Sequence, residues 1–347
     1  MSTVDEMHRP ARIDLAIMRW RAGWAVRHGY RPAVIAYTCY GSPRWVRVLC
    51  RVVFAKRGVI FRRDPTGTRG WRSFVTVPVE AAEVDVELAG VHHTVRADAS
   101  GVVDVVIEQD LEPGRHTISM SSSGSTPVTA DVFVIGDQER FGVVSDIDDT
   151  VMVTALPRPL LAAWHTFVVN EHARAATPGM PVLYERLSAT YDGLPFFYLS
   201  TGAWNIAPTL SRFLFSNLYP PGPLLLTDWG PTKDRWFRSG KEHKRANLRR
   251  WVEEFPHITW LLFGDDGQHD EMIYRDFADN HPHHVAGVCI RQLTPGEAVL
   301  AGSSLRESPS PVGSQVPWLY AYDGAGLGRQ LEQLGILPES ASPQNRV

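Results

Sequence analysis

At 347 residues, 44% hydrophobic and 21% charged, the chain has the length for two folded domains and a composition that excludes a disordered or collagen-like protein. Its three scattered cysteines, Cys39, Cys50 and Cys289, exclude a disulfide framework or a paired-cysteine metal knuckle and favour a reducing, cytoplasmic setting. The formal net charge of −3 hides an asymmetry, because Met1 to Val75 holds fifteen Arg and Lys against four acids.

Ile13, Ala16, Ile17, Trp20 and Trp24 recur at helical spacing, with arginines on the other face and a stop at Gly29. Such a basic amphipathic helix, within a region 1–33, suits either packing on its own domain or peripheral contact with an anionic membrane. No nucleic-acid partner is expected. The N-terminus lacks the apolar stretch of a signal peptide, and no run of about 18 apolar residues is present for a membrane span.

Between residues 34 and 140 the pattern changes to short strands bounded by turn residues: Trp45 to Phe54, Trp71 to Val77, Val84 to Leu88, His93 to Arg96, Val102 to Ile107, Thr117 to Met120 and Val128 to Ile135. Their number and spacing predict a β-sandwich accessory domain.

From Phe141 strands and helices alternate, which predicts a doubly wound parallel α/β domain over residues 141–302. Five strands are expected, at Gly142 to Ser145, Phe196 to Ser200, Leu224 to Leu226, Trp260 to Gly264 and Val285 to Ile290. Helices fall at Leu160 to Glu171, Val182 to Tyr191, Ile206 to Asn217, Lys241 to Phe255 and Asp270 to Asn280. Residues 303–347 read as a polar linker, a helix from Trp318 to Leu337, and a loose tail.

Chemistry concentrates where these strands end. The first is followed by Asp146, Asp148 and Thr150, and two carboxylates on one side of an extended segment repel unless a cation or a proton is shared between them. The second ends in the hydroxyls of Ser200 and Thr201 and in Gly202, a turn whose backbone amides suit phosphate oxygens. Lys241 or Lys244 opens the helix before the fourth strand, and that strand ends in Asp265, Asp266 and Asp270. Several carboxylates, one lysine and a hydroxyl-rich turn suit Mg2+ together with a phosphate.

The order of these motifs resembles the haloacid dehalogenase-like superfamily: DxDxT at Asp146 to Thr150, a serine at Ser200, a lysine, and an acidic motif from Gly264 to Asp270. Within it, Ser145-Asp-Ile-Asp-Asp-Thr150, Leu199-Ser-Thr-Gly-Ala-Trp-Asn205 and Gly264-Asp-Asp-Gly-Gln-His-Asp270 are similar to the catalytic-domain family of actin patch protein-type phosphatidate phosphatases. In that family the last motif more often reads Gly-Asp-Ser-Gly and continues Asp-Pro-Glu, where this chain has Asp266 and Asp270-Glu-Met.

The resemblance implies Asp146 as nucleophile, Asp148 as general acid and base, and Mg2+ held by Asp146, the Asp148 carbonyl and Asp265, with Asp266 or Asp270 completing the set. It also implies that Ser200, Thr201, Gly202 and a lysine hold the phosphate. Lys244 is preferred, on the reading that it lies in the first turn of its helix, with Lys241 one turn away. The gaps after Thr150 and after Leu226 are too short for a large cap, so an open site is expected, with Trp229, Arg235, Trp236, Phe237 and Arg238 in the second loop. The expected activity is hydrolysis of a phosphomonoester, first of all a lipid phosphate such as phosphatidate. The alternatives are a sugar or polyol phosphate, a phosphoprotein, or a non-catalytic phosphate- or membrane-binding module.

Overall fold

The computed structural model describes residues 20–56, 77–153, 175–227, 233–267, 269–294, 296–297 and 314–339. The chain divides into two compact units, Met1–Gly136 and Asp137–Val347.

In the first unit the backbone is helical over 20–27 and stops at Gly29, whose φ of 78° lies in the left-handed region that glycine adopts without strain. The start of the expected helix, at Ile13, lies outside the described residues, as does the strand expected from Trp71 apart from Val77. Among the described residues eight strands follow: β1 (Arg31–Ala36), β2 (Cys39–Ser42), β3 (Trp45–Ala55), β4 (Glu83–Leu88), β5 (Val91–Arg96), β6 (Val102–Glu108), β7 (Gly114–Ser122) and β8 (Val128–Val134). Strand β4 shows why these segments are strands, since every second residue is buried.

Where the sequence predicts a sandwich, hydrogen bonding joins all eight strands into one sheet. Its path runs β1-β3-β2-β8-β7-β4-β5, with β6 also on β3. The join is β2, which pairs antiparallel with β3 and parallel with β8. This strand was not predicted: four residues, Cys-Tyr-Gly-Ser, all buried, are too few to show a period.

The second unit is built on a parallel sheet of six strands: β9 (Phe141–Asp146), β12 (Phe196–Ala203), β13 (Leu224–Thr227), β14 (Thr259–Asp265), β15 (Val285–Arg291) and β16 (Trp318–Ala321). A two-residue pair, β10 (Met152–Val153) and β11 (Ala175–Ala176), stands apart from it. The helices are α1 (Met180–Thr190), α2 (Ala207–Ser216), α3 (Lys233–Glu254), α4 (Asp270–Asn280) and α5 (Gly324–Gln333). The predicted helix at Leu160 to Glu171 lies outside the described residues.

The strand order β13-β12-β9-β14-β15-β16 is, in order of appearance, third, second, first, fourth, fifth, sixth. That is the doubly wound order, which reverses direction between β9 and β14. The side chains show how both faces are covered. Phe196 and Phe197 are consecutive in β12 and so point to opposite faces. Phe196 meets Tyr184 of α1 at 5.6 Å between rings, and Phe197 meets Trp251 of α3 at 4.8 Å. With both faces covered, the strands read as continuous apolar runs, as in Phe-Gly-Val-Val. Gly142 is required within that run, because a Cβ there would collide with the Trp260 ring.

Two predicted boundaries change. Helix α3 begins at Lys233 and not at Lys241, so Lys244 stands mid-helix, and the backbone carrying Arg235 to Arg238 is helical rather than a loop. Trp229 lies outside the described residues. The predicted helix from Trp318 is instead a sixth strand followed by α5. Trp-Leu-Tyr-Ala pairs in parallel with β15 from Val288 to Arg291, and Asp323 then caps α5 by accepting the Gly326 amide. Helix α5 packs on α1, where Arg186 meets Glu332 at 2.6 Å. The segment after the polar linker is therefore part of the α/β unit.

Candidate active site

The reversal of strand order opens a crevice at the carboxyl ends of β9 and β14, where doubly wound sheets place their ligands. Asp146 ends β9 and Asp265 ends β14, its neighbour in the sheet. Asp270 is the first residue of α4. Ligand oxygens of these three buried carboxylates lie within 4.8 Å of one another. Gly264 makes that approach possible, since a Cβ there would stand 2.7 Å from the Asp270 Cβ.

Lys244 reaches this cluster from α3. Its Nζ donates to Asp146 Oδ1 at 2.6 Å and to Asp270 Oδ1 at 2.5 Å, and the lysine side chain is 2% exposed. Burial alone pulls the ammonium down, but Asp146 and Asp270 outweigh it and hold Lys244 charged, above its ordinary value. Lys241 is half-buried and, among the described residues, is not part of the cluster.

One lysine does not balance three carboxylates. Burial pushes Asp146 well above its ordinary value; Lys244 draws it back, and Asp270 and Asp148 push it up again. Asp265 is raised first by burial and then by Asp270 and Asp146. With all four groups ionised the cluster carries two net negative charges, which a divalent cation cancels. The donor set fits such an ion: Asp265 Oδ2 and Asp270 Oδ2 are buried and meet no hydrogen-bond donor among the described residues. Hard carboxylate oxygens suit Mg2+ or a similar cation.

A pH dependence follows. Asp146 and Asp265 bind protons more tightly folded than unfolded, so between the ordinary value of 3.8 and their raised values the native state holds more protons. Stability contributed by these groups is full at low pH and is lost as pH rises through that window. With a chelator present, the melting temperature is expected to fall across it relative to Asp265→Asn, whose slope is flatter. A divalent cation should remove the difference; parallel slopes for the two proteins would contradict the proposed charge balance.

The remaining predicted residues are placed as follows. Asp148 is buried, and its Oδ2 accepts the Ser200 hydroxyl at 3.1 Å. Ser200 Oγ also accepts the Gly202 amide at 3.0 Å, so the turn is closed on itself beside Asp148. Thr227, at the end of β13, donates to the Thr201 and Gly202 carbonyls at 2.9 and 3.1 Å and fixes the turn from below. Thr150 donates to Asp146 Oδ2 at 3.4 Å.

Asp266 is not brought into the cluster. Its Oδ1 accepts the Leu293 amide at 2.9 Å, because consecutive residues at a strand end point to opposite sides and Asp265 takes the inner one. Sequence reasoning missed Thr227 and Arg291. Their only signal is position, as polar residues closing the apolar runs Leu-Leu-Leu-Thr and Val-Cys-Ile-Arg.

Residues 141–292 match the family model described as phosphatidate phosphatase APP1, catalytic domain. Phosphatidate phosphatase APP1 of Saccharomyces cerevisiae is 24% identical over 199 residues, covering 56% of this chain and 34% of that protein. An uncharacterized protein of Schizosaccharomyces pombe is 24% identical over 161 residues, 45% of this chain and 26% of that one. The chain thus spans about a third or less of the length of these relatives. Among solved structures, a carbohydrate acetylesterase from Xanthomonas citri aligns over 78% of this chain and 73% of its own, at 12% identity and a TM-score of 0.28, too weak a likeness to carry an argument. The crevice at Asp146, Lys244, Asp265 and Asp270 falls wholly inside residues 141–292, the segment that is similar to the phosphatidate phosphatase APP1 catalytic domain.

Proposed function

We propose that this protein is a Mg2+-dependent phosphatase that hydrolyses a phosphomonoester through an aspartyl-phosphate, with a lipid phosphate such as phosphatidate as substrate. The observation that carries the reading is the buried cluster of Asp146, Asp265 and Asp270 around Lys244, beside the Asp148 and Ser200 pair.

Asp146 attacks phosphorus, a P–O bond forms to its carboxylate, and the bond to the leaving alkoxide breaks. Asp148 enters protonated, gives that proton to the alkoxide, and then takes one from the water that attacks phosphorus, so phosphate leaves and Asp146 is regenerated. Ser200, donating to Asp148 Oδ2, holds this acid–base group in place. Lys244 offsets charge on the phosphoryl oxygens, and Thr201 and Gly202 extend the phosphate-binding turn. Mg2+, held by Asp146, Asp265 and Asp270 with the Asp148 carbonyl, would supply further positive charge to the transferring group.

The lipid substrate rests on the family match. No helix among the described residues is long and apolar enough to cross a membrane. The test is phosphate release from mixed micelles of phosphatidate and from a panel of soluble phosphomonoesters, with Mg2+ and with chelator. Metal-dependent release from phosphatidate alone is expected. Release only from soluble esters keeps the mechanism and removes the lipid, and release from nothing removes the enzyme.

A further inference from the structure

Asp149 stands between two residues of the site, and its backbone is in an unusual state. It is buried, with φ of 60°, in the left-handed region where an L side chain is strained. Aspartate enters that region more readily than most residues, and here its surroundings hold it there. Both of its peptide groups are tied: the Asp149 amide donates to the Met152 carbonyl at 2.8 Å, and the Asp149 carbonyl accepts from Arg291 Nη1 at 2.9 Å.

Arg291 is the last residue of β15, and its side chain is 2% exposed. A charge so buried needs partners, and the guanidinium fork can meet several at once in fixed directions. Nη2 pairs with Glu297 Oε1 at 2.7 Å, and Nε makes a longer contact, 3.4 Å, to the Tyr322 carbonyl. Glu297 is held in turn by the amide and hydroxyl of Thr294, at 2.8 and 2.9 Å. The arginine is thus anchored on one side and fixes a strained peptide on the other.

We infer that Arg291 is a positioning residue: by holding the Asp149 carbonyl it imposes the left-handed turn that sets Asp148 and Thr150 against Ser200 and Asp146. The role in turnover rests on the phosphatase reading, whereas the clamp itself does not. Lysine at this position keeps the charge but has one point of donation in place of a fork, so it cannot hold Asp149 and Glu297 in the same geometry.

The test uses the full chain, with Arg291→Lys, Arg291→Met and Glu297→Gln beside the wild type. Amide hydrogen exchange is read at Asp149, Val151 and Met152, whose amides are bonded within this turn, and at β12 and β14 as internal controls. Exchange in the turn is expected to quicken by about tenfold or more in Arg291→Met, less in Arg291→Lys and least in Glu297→Gln, with the controls unchanged. With Mg2+, on whichever of phosphatidate micelles or soluble phosphomonoesters the wild type hydrolyses, kcat should fall by roughly 10²-fold in Arg291→Met with KM within about threefold, as misplacement of a reacting group requires. Unchanged exchange in the turn, or equal quickening in β12 and β14, would overturn the clamp. Should the wild type release no phosphate while exchange still quickens locally, the clamp stands and the phosphatase reading falls.

Discussion

Asp146→Asn is expected to lower metal-dependent phosphate release by about 10³-fold or more, the scale on which removal of a nucleophile is felt when binding groups remain. Asparagine keeps the shape, and its amide oxygen can still accept from Lys244, but it offers no carboxylate to attack phosphorus. It also removes one negative charge from a buried site that holds more carboxylates than cations. The variant should therefore melt no lower than the wild type near neutral pH, and the pairing of an intact fold with lost turnover separates a nucleophile from a structural carboxylate. Retention of more than a tenth of the wild-type rate would remove Asp146 from the role.

Lys244→Met should do the opposite to stability. It leaves Asp146 and Asp270 buried without their shared cation, and breaking a buried pair by removing one partner costs about 3–5 kcal/mol. The loss should be larger at pH 8 than at pH 5, because without the lysine Asp146, already raised by burial, binds its proton still more tightly in the native state and resists ionising. Urea unfolding at both pH values, with chelator and with Mg2+, measures it, and the cation should restore part of the loss. Turnover is expected to drop by roughly 10²-fold even where the variant is folded. Lys241→Met is the control, expected within about 0.5 kcal/mol of wild type as a partly exposed substitution. Equal losses from the two lysines would mean that the contacts of Lys244 carry no special weight.

The parts of this site legible from sequence are those set by the ends of buried strands. Phe-Gly-Val-Val and Trp-Leu-Leu-Phe-Gly are apolar throughout because both faces of the sheet are covered, so the first carboxylate after each run marks the crevice. What was not legible has identifiable causes. Asp266 looks as good a ligand as Asp265 until the alternation of a strand end turns it towards Leu293. Helix α3 hides its first turns because Gly240 reads as a breaker. In the fold that glycine is where the helix approaches β12, and a Cβ there would stand 3.0 Å from Thr201 Cγ2. The sixth strand, four residues after a polar linker, is identifiable only by its partner β15, and pairing is a non-local property. Arg291 was passed over because two of its three contacts, the carbonyls of Asp149 and Tyr322, come from segments far away in the chain.

The order of the six strands also bears on how the chain reaches its native state. The central strand β9 is made first, yet one neighbour in the sheet begins at Phe196 and the other at Thr259. Until Phe196 is reached Phe-Gly-Val-Val has two open hydrogen-bonding edges, and until Thr259 it keeps one. Parallel pairing across such separations is slow, because long loops must close before any contact is gained. The outermost strand, β16, protects the far edge only after residue 321 has been added. From the completion of β9 until residue 321, a nascent chain of this topology carries unpaired strand edges, the feature that makes incompletely folded intermediates prone to aggregate.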